Sequence, residues 1–367
     1  MTRIAAVLTL VLTLPTSARS ANRQDPSTIV ITDTACATCE VELEFLATLG
    51  DVEGDGMLLD DDSLLSRDSR GHFYLCSPGR PYVWIFDSTG RFLHRLGGVG
   101  QGPGELFSVS ALVVGEDDSL YVFDPRQRRM LVFSPEHEHI QTVPLGFGAT
   151  PYAALTKPGI VLNAGIHSES RIGYPLHLLD LTEHRIVRSF GSVDGVYRPD
   201  MRDIIDGRVV TPANDTAVWS AWWNQYVIER WGTDGSLEQT IRREVEWFEP
   251  WWIPRSGPEV EPQTLIKAIM QEGDVIWTSV QVADPEWRTT VRRLPEGNRY
   301  TVDDYNRYKD TYVEALDVAR GIVLATTKFP DALQGFVSPS LVYGQSTDET
   351  GHIMMSVWHM GISNSGQ

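Results

Sequence analysis

Apolar runs of four to six residues, each fenced by Gly, Pro, Asp or Ser, recur along most of this chain. Residues 59–97 serve as a template. Ser63-Leu64-Leu65-Ser66 is a first run and Gly71-His72-Phe73-Tyr74-Leu75-Cys76 a second; Tyr82-Val83-Trp84-Ile85-Phe86 and Arg91-Phe92-Leu93-His94-Arg95-Leu96 follow. Ser77-Pro78-Gly79-Arg80 and Asp87-Ser88-Thr89-Gly90 separate the later runs. Runs this short, bounded by turn formers, predict antiparallel strands.

The set repeats at an offset of 47 residues without a gap. Leu49-Gly50-Asp51-Val52 is echoed by Leu96-Gly97-Gly98-Val99, Phe73-Tyr74-Leu75 by Leu120-Tyr121-Val122, and Val83 to Phe86 by Met130-Leu131-Val132-Phe133. Two periods further on, Phe190-Gly191-Ser192-Val193-Asp194-Gly195 matches Leu49 to Gly54. A fixed period in this range marks one supersecondary unit stacked many times. Four strands per period make the blade of a β-propeller. Further blades follow at about 107–146, 150–191 and 206–244, with Ala111 to Val114 and Gly159 to Leu162 read as inner strands.

The rhythm weakens after residue 245. Asp274-Val275-Ile276-Trp277-Thr278 is read as the inner strand of a fifth blade, with Tyr312 to Asp317 and Gly321 to Ala325 as later ones. Within the insertion, residues 259–271 carry Val260, Leu265, Ile266, Ile269 and Met270, which predicts a short amphipathic helix. The sixth blade, Leu341 to Tyr343 and Gly351 to Trp358, lacks an outer strand, and the N-terminal part of the chain has one to spare. Residues near 28–49 are therefore expected to complete the last blade and close the ring, which removes exposed sheet edges. The reading is all-β with six blades; a degenerate seventh within 245–310 is the alternative.

Residues 1–20 have the form of a secretory leader: Arg3, an apolar stretch from Ile4 to Pro15, then the small residues Thr16 to Ser20. Residues 21–367 are then one exported domain, periplasmic or extracellular and expected to be monomeric. The net charge of −18 becomes −20 once Arg3 and Arg19 leave with the leader. Such acidity argues against nucleic acid or an anionic membrane surface as partner, and no later segment is apolar for long enough to span a bilayer. Of three cysteines, Cys36 and Cys39 are spaced for a local disulfide in an oxidising compartment. A bridge from Cys76 to one of them is the alternative.

At Leu96-Gly97-Gly98-Val99-Gly100-Gln101-Gly102-Pro103-Gly104-Glu105-Leu106, followed by Tyr121-Val122-Phe123-Asp124, the chain resembles NHL-type six-bladed propellers. It is similar in particular to exported bacterial six-bladed propellers of the TolB-like superfamily. The Cys36–Cys39 pair ahead of an acidic-apolar strand also looks like members of that group. The resemblance covers about 36–145 and implies the fold. It leaves function open, because that superfamily holds lactonases, amidating lyases, receptor ectodomains and scaffolds.

Candidate chemistry is sparse. Gly98, Gly100 and Gly102 precede no helix that could offer its N-terminus to a phosphate, so turn geometry explains them. Asp51, Glu53 and Asp55 imitate the start of a calcium loop, but the repeat aligns them with those linker glycines. They remain weak calcium candidates, and no other cofactor is expected. His137 and His139 fall at a solvent-facing outer turn, and His352 and His359 in the last blade. The clearest departure from repeat is aromatic: of 11 Trp, nine lie between Trp219 and Trp287. Trp219, Trp231 and Trp277 sit in strands and read as core. Trp222, Trp223, Trp247, Trp251 and Trp252 sit in loops and read as a binding face for a protein, peptide or carbohydrate. The leading reading is a non-enzymatic binding module. The alternative is a metal-dependent hydrolase or lyase, lactonase-like or amidating-lyase-like, with its site in the central channel.

Overall fold

The computed structural model describes residues 27–32, 34–50, 63–148, 152–166, 173–191, 207–295, 299–347 and 353–364. The leader and the Asp51, Glu53, Asp55 segment lie outside them. Two strands precede the first blade, β1 (Ser27–Ile31) and β2 (Cys39–Leu49). Blade one is β3 (Leu64–Arg67), β4 (Phe73–Cys76), β5 (Tyr82–Phe86) and β6 (Phe92–Gly97). Blade two is β7 (Ala111–Val114), β8 (Leu120–Asp124), β9 (Arg129–Phe133) and β10 (His139–Pro144). Blade three is β11 (Tyr152–Thr156), β12 (Gly159–Asn163), β13 (Leu176–Asp180) and β14 (Arg185–Phe190). Blade four is β15 (Arg208–Asn214), β16 (Ala217–Trp222), β17 (Val227–Gly232) and β18 (Leu237–Arg243).

Blade five uses β19 (Leu265–Glu272) and β20 (Val275–Ala283), leaves the ring for a small hairpin of β21 (Val291–Arg293) and β22 (Tyr300–Val302), and returns as β23 (Lys309–Asp317) and β24 (Ile322–Phe329). Blade six is β25 (Leu333–Ser338), β26 (Leu341–Thr347) and β27 (Ile353–Asn364), completed by β2. β2 runs antiparallel to β27 from Cys39 opposite Asn364 to Leu49 opposite Met355. The N-terminal strand thus closes the ring. β1 departs from expectation: it pairs in parallel with β18, from Ser27 opposite Gln239 to Ile31 opposite Arg243, as a fifth strand of blade four.

The region 245–310 holds no seventh blade among the described residues, and the helix expected over 259–271 is β19. The reason is a bulge. Ile266 pairs with Val280 and Ala268 with Ser279, so Lys267 is an extra residue on its strand. That residue shifts the phase of a two-residue alternation, and Ile266 and Ile269 both end up buried in the same cluster. A bulged strand thereby reproduces helical spacing. β19 is also the innermost strand of blade five, so Asp274 to Thr278 belongs to the second position. The same displacement applies to Gly159 to Leu162, which is the second strand of blade three behind β11.

Alternation along each strand supplies the two faces that a blade needs. In blade one, Phe73, Leu75, Trp84 and Phe86 face blade six, where they pack with Leu341, Tyr343, Met355 and Val357. Their neighbours Tyr74, Cys76, Val83 and Ile85 face blade two, against Leu112, Val122 and Leu131. Each of the six inter-blade interfaces has such an apolar cluster. Every blade buries both sides, which accounts for strands that are apolar throughout. Trp219, Trp231 and Trp277 are core residues. Cys36 and Cys39 form a disulfide where the chain enters β2, and Cys76 is buried in β4 outside it.

Candidate functional site

In every blade the first strand starts at the inter-blade linker, so the linkers and the second-to-third connections share one end of the ring. The opposite end carries short hairpin turns. Both long insertions, 244–264 between β18 and β19 and 284–308 between β20 and β23, therefore lie at the linker end. The first is docked there through Trp251, whose N–H donates to the Asn224 carbonyl at 3.2 Å and whose carbonyl accepts from Asn224 Nδ2 at 2.5 Å.

The innermost strands enclose a cavity of about 490 Å³ on the ring axis. All six contribute to its wall: Leu65 and Ser66 from β3, Ala111 and Leu112 from β7, Tyr152 and Ala153 from β11, Val210 and Thr211 from β15, Lys267 to Met270 from β19, and Gln334 to Val337 from β25. Trp223 and Tyr343 add aromatic surface. Among the described lining residues there is no Asp, Glu, His or Cys, and Lys267 carries the one formal charge. Gln334 is 3% exposed, and neither its amide nitrogen nor its oxygen has a hydrogen-bond partner in the protein.

The five candidate tryptophans do not share one surface. Trp222 is buried beneath the Arg208 guanidinium, whose carbon lies 3.4 Å from the ring centroid, and Arg208 is itself paired with Glu229 at 3.0 Å. Trp247 stacks flat on Tyr312 at 4.0 Å and packs between blades four and five. Trp251 donates through Nε1 to the Thr264 carbonyl at 2.6 Å and so holds the insertion together. Trp223 reaches the cavity wall, edge-on to Tyr152 at 6.0 Å. Trp252, 53% exposed, and Ile253, 71% exposed, present an apolar patch on the insertion beside Arg255 and Glu261.

At the hairpin-turn end a polar cluster joins blades one and two. Tyr74 Oη donates to Asp68 at 2.9 Å and lies 3.0 Å from His137 Nε2, while His137 Nδ1 faces His94 Nε2 at 2.9 Å. His137, expected in solvent, is half-buried at φ 67°. Burial first, and then the neighbouring His94, push its pKa down to about 4. His139 bonds Thr142 at 2.9 Å, and His359 is exposed on β27. Among the described residues no three His, Cys, Asp or Glu side chains converge as a metal site.

The glycine-rich linker folds onto its own glutamate. Glu105 Oε2 accepts the Gly102 N–H at 2.7 Å, and a Cβ at Gly100 would lie 2.0 Å from that oxygen. Gln127 donates to the Gly100 carbonyl at 2.8 Å and Arg129 to the Glu105 carbonyl at 2.6 Å. These contacts pin the linker to blade two.

Lys267 and Gln334 escaped the sequence reading because each interrupts an apolar alternation. Their signal is that interruption itself: one polar residue inside a run too irregular for a strand.

Residues 69–159 match the family model for a 6-bladed beta-propeller. No curated protein matches the sequence. Two solved structures are similar in fold. One is a Bacteroides fragilis NCTC 9343 protein described as exported, 11% identical with a TM-score of 0.58, aligned over 92% of this chain and 100% of that one. The other is a member of the duf4221 family from Bacteroides vulgatus, 14% identical with a TM-score of 0.59, aligned over 89% of this chain and 99% of that one. Sheet order, blade interfaces, family match and these likenesses converge: the chain is a six-bladed β-propeller, closed by its N-terminal strand and similar in fold to the Bacteroides fragilis protein described as exported.

Proposed function

We propose that this propeller is an exported binding module that takes a small, largely apolar ligand into its central channel from the linker end. The observation that carries the reading is the cavity: about 490 Å³, walled by all six innermost strands, apolar over most of its side-chain surface, with a few converging polar groups. That is the usual profile of a small-molecule site. A metal-dependent hydrolase or lyase needs carboxylates, imidazoles or thiolates around its ion, and the described wall supplies none. The fold likeness to a protein described as exported agrees with export.

The uncharged fluorophore N-phenyl-1-naphthylamine tests this reading. It is expected to bind with a stoichiometry of one and to be lost on Ala153→Phe and on Ala268→Phe, which fill the channel from two different blades. Circular dichroism and thermal melts establish that each variant folds. A second reading is favoured by the exposure of Trp252 and Ile253: a face for a protein, peptide or carbohydrate on the insertion. Should Trp252→Ala abolish probe binding and both channel variants leave it intact, the insertion is the site.

A further inference from the structure

We infer that the channel ligand is an organic acid, an apolar body whose carboxylate sits against Lys267 and Gln334; this rests on the channel reading above. Both residues occupy the same kind of backbone position. Lys267 is the extra residue of the bulge between Ile266 and Ala268 on β19, and Gln334 is the extra residue of the bulge between Leu333 and Gly335 on β25. A bulge breaks the pairing ladder locally and re-aims one side chain, which is why bulges gather near functional sites. Here two of them fall on the innermost strands of adjacent blades, and both residues line one cavity. Ala268 and Met270 of β19 share an apolar cluster with Leu333 and Phe336 of β25, so the two strands are neighbours across the blade five to six interface.

The chemistry of the pair selects the ligand group. Gln334 is 3% exposed with neither amide atom bonded inside the protein. A buried amide in that state is costly and calls for a partner from elsewhere. Lys267 brings the only formal charge on the described wall, and it is positive. A carboxylate accepts hydrogen bonds from an ammonium and from an amide NH2 at once, and the ionic bond is the stronger of the two. An uncharged amide of the same shape loses the ionic component. Apolar walls from Leu65, Leu112, Val210 and Phe336 favour an aromatic or short aliphatic body over a sugar.

Displacement of N-phenyl-1-naphthylamine by 1-naphthylacetate and by 1-naphthaleneacetamide, which differ only in the charged group, decides the matter. The acid is expected to bind wild type about tenfold or more tightly than the amide, the scale of one ionic hydrogen bond. Lys267→Met should bring the two within about twofold of each other while the probe still binds, and Gln334→Leu should weaken the acid several-fold. Equal affinity of acid and amide on wild type, or an acid preference that survives Lys267→Met, overturns the inference and leaves the channel reading standing. Failure of the probe to bind at all overturns both.

Discussion

Replacing Glu314 by Gln removes one charge from an ion pair sealed between blades four and five. The Glu314 side chain is 0% exposed and that of Arg243 4%. The carboxylate accepts from Arg243 Nη2 at 3.0 Å, from Arg243 Nε at 3.3 Å and from the Tyr226 hydroxyl at 2.7 Å. The same guanidinium donates to the carbonyls of Ile31 at 3.3 Å, Thr32 at 3.2 Å and Glu244 at 3.0 Å, which ties the end of β1 to the ring. Gln keeps the shape but turns one accepting oxygen into a donor that faces other donors. It also leaves a guanidinium buried without its counter-charge. Breaking one side of such a pair costs about 3–5 kcal/mol, whereas exchanging both partners for apolar residues is far milder. Urea titration followed by tryptophan fluorescence should show Glu314→Gln losing that amount at unchanged slope. Arg243→Met combined with Glu314→Leu should recover about half, because the three carbonyls still lose their donor. A loss below about 1 kcal/mol for Glu314→Gln, or a double variant less stable than the single, would contradict a sealed, uncompensated charge.

Three other outcomes are expected. His137, held at about 4 against an ordinary 6.5, binds fewer protons when folded than when unfolded between those two values. Stability should therefore be level above pH 6.5 and fall as pH drops from 6.5 towards 4. The shift corresponds to about 3 kcal/mol before solvent screening and about 1–2 kcal/mol at a half-exposed ring. His137→Asn, which tolerates φ 67°, should flatten the slope across that window in melts run at constant ionic strength. Trp247→Ala should cost about 3 kcal/mol by denaturation, and Trp252→Ala less than about 0.5, because the first is stacked on Tyr312 and the second stands in solvent. Gly90 sits at φ 88°, with a Cβ position 2.7 Å from the Thr48 carbonyl of the closing strand. Gly90→Ala should destabilise by about 2 kcal/mol and raise hydrogen exchange along β2; unchanged exchange there would detach that turn from ring closure.

The middle strands of each blade were the most legible part of this chain. Phe73 to Cys76 and Val83 to Phe86 are buried on both sides, and so are Leu120, Val122 and Phe123 beside a half-buried Tyr121, so the sequence writes them as unbroken apolar runs between turns. The clasp at Cys39 to Leu49 was legible by alignment to the period. The innermost strands were not, apart from those of blades one and two. β11, β15, β19 and β25 have one edge on the channel, and they tolerate Pro212, Lys267, Gln334 and Gly335 in or beside bulges. Composition there follows the cavity and no longer the two-residue alternation. For the same reason the site was the least legible feature. Tryptophan density pointed to residues such as Trp222 and Trp247 that serve packing. The residues that give the channel its polarity are single interruptions without a motif.

The ring axis is the proposed ligand site. The most direct test is a crystal structure of the protein soaked with 1-naphthylacetate. Ligand density is expected on the ring axis among Ala153, Val210, Ala268 and Phe336, with the carboxylate within hydrogen-bond distance of Lys267 Nζ and the Gln334 amide. Density on the Trp251–Trp252 insertion with an empty channel would contradict it.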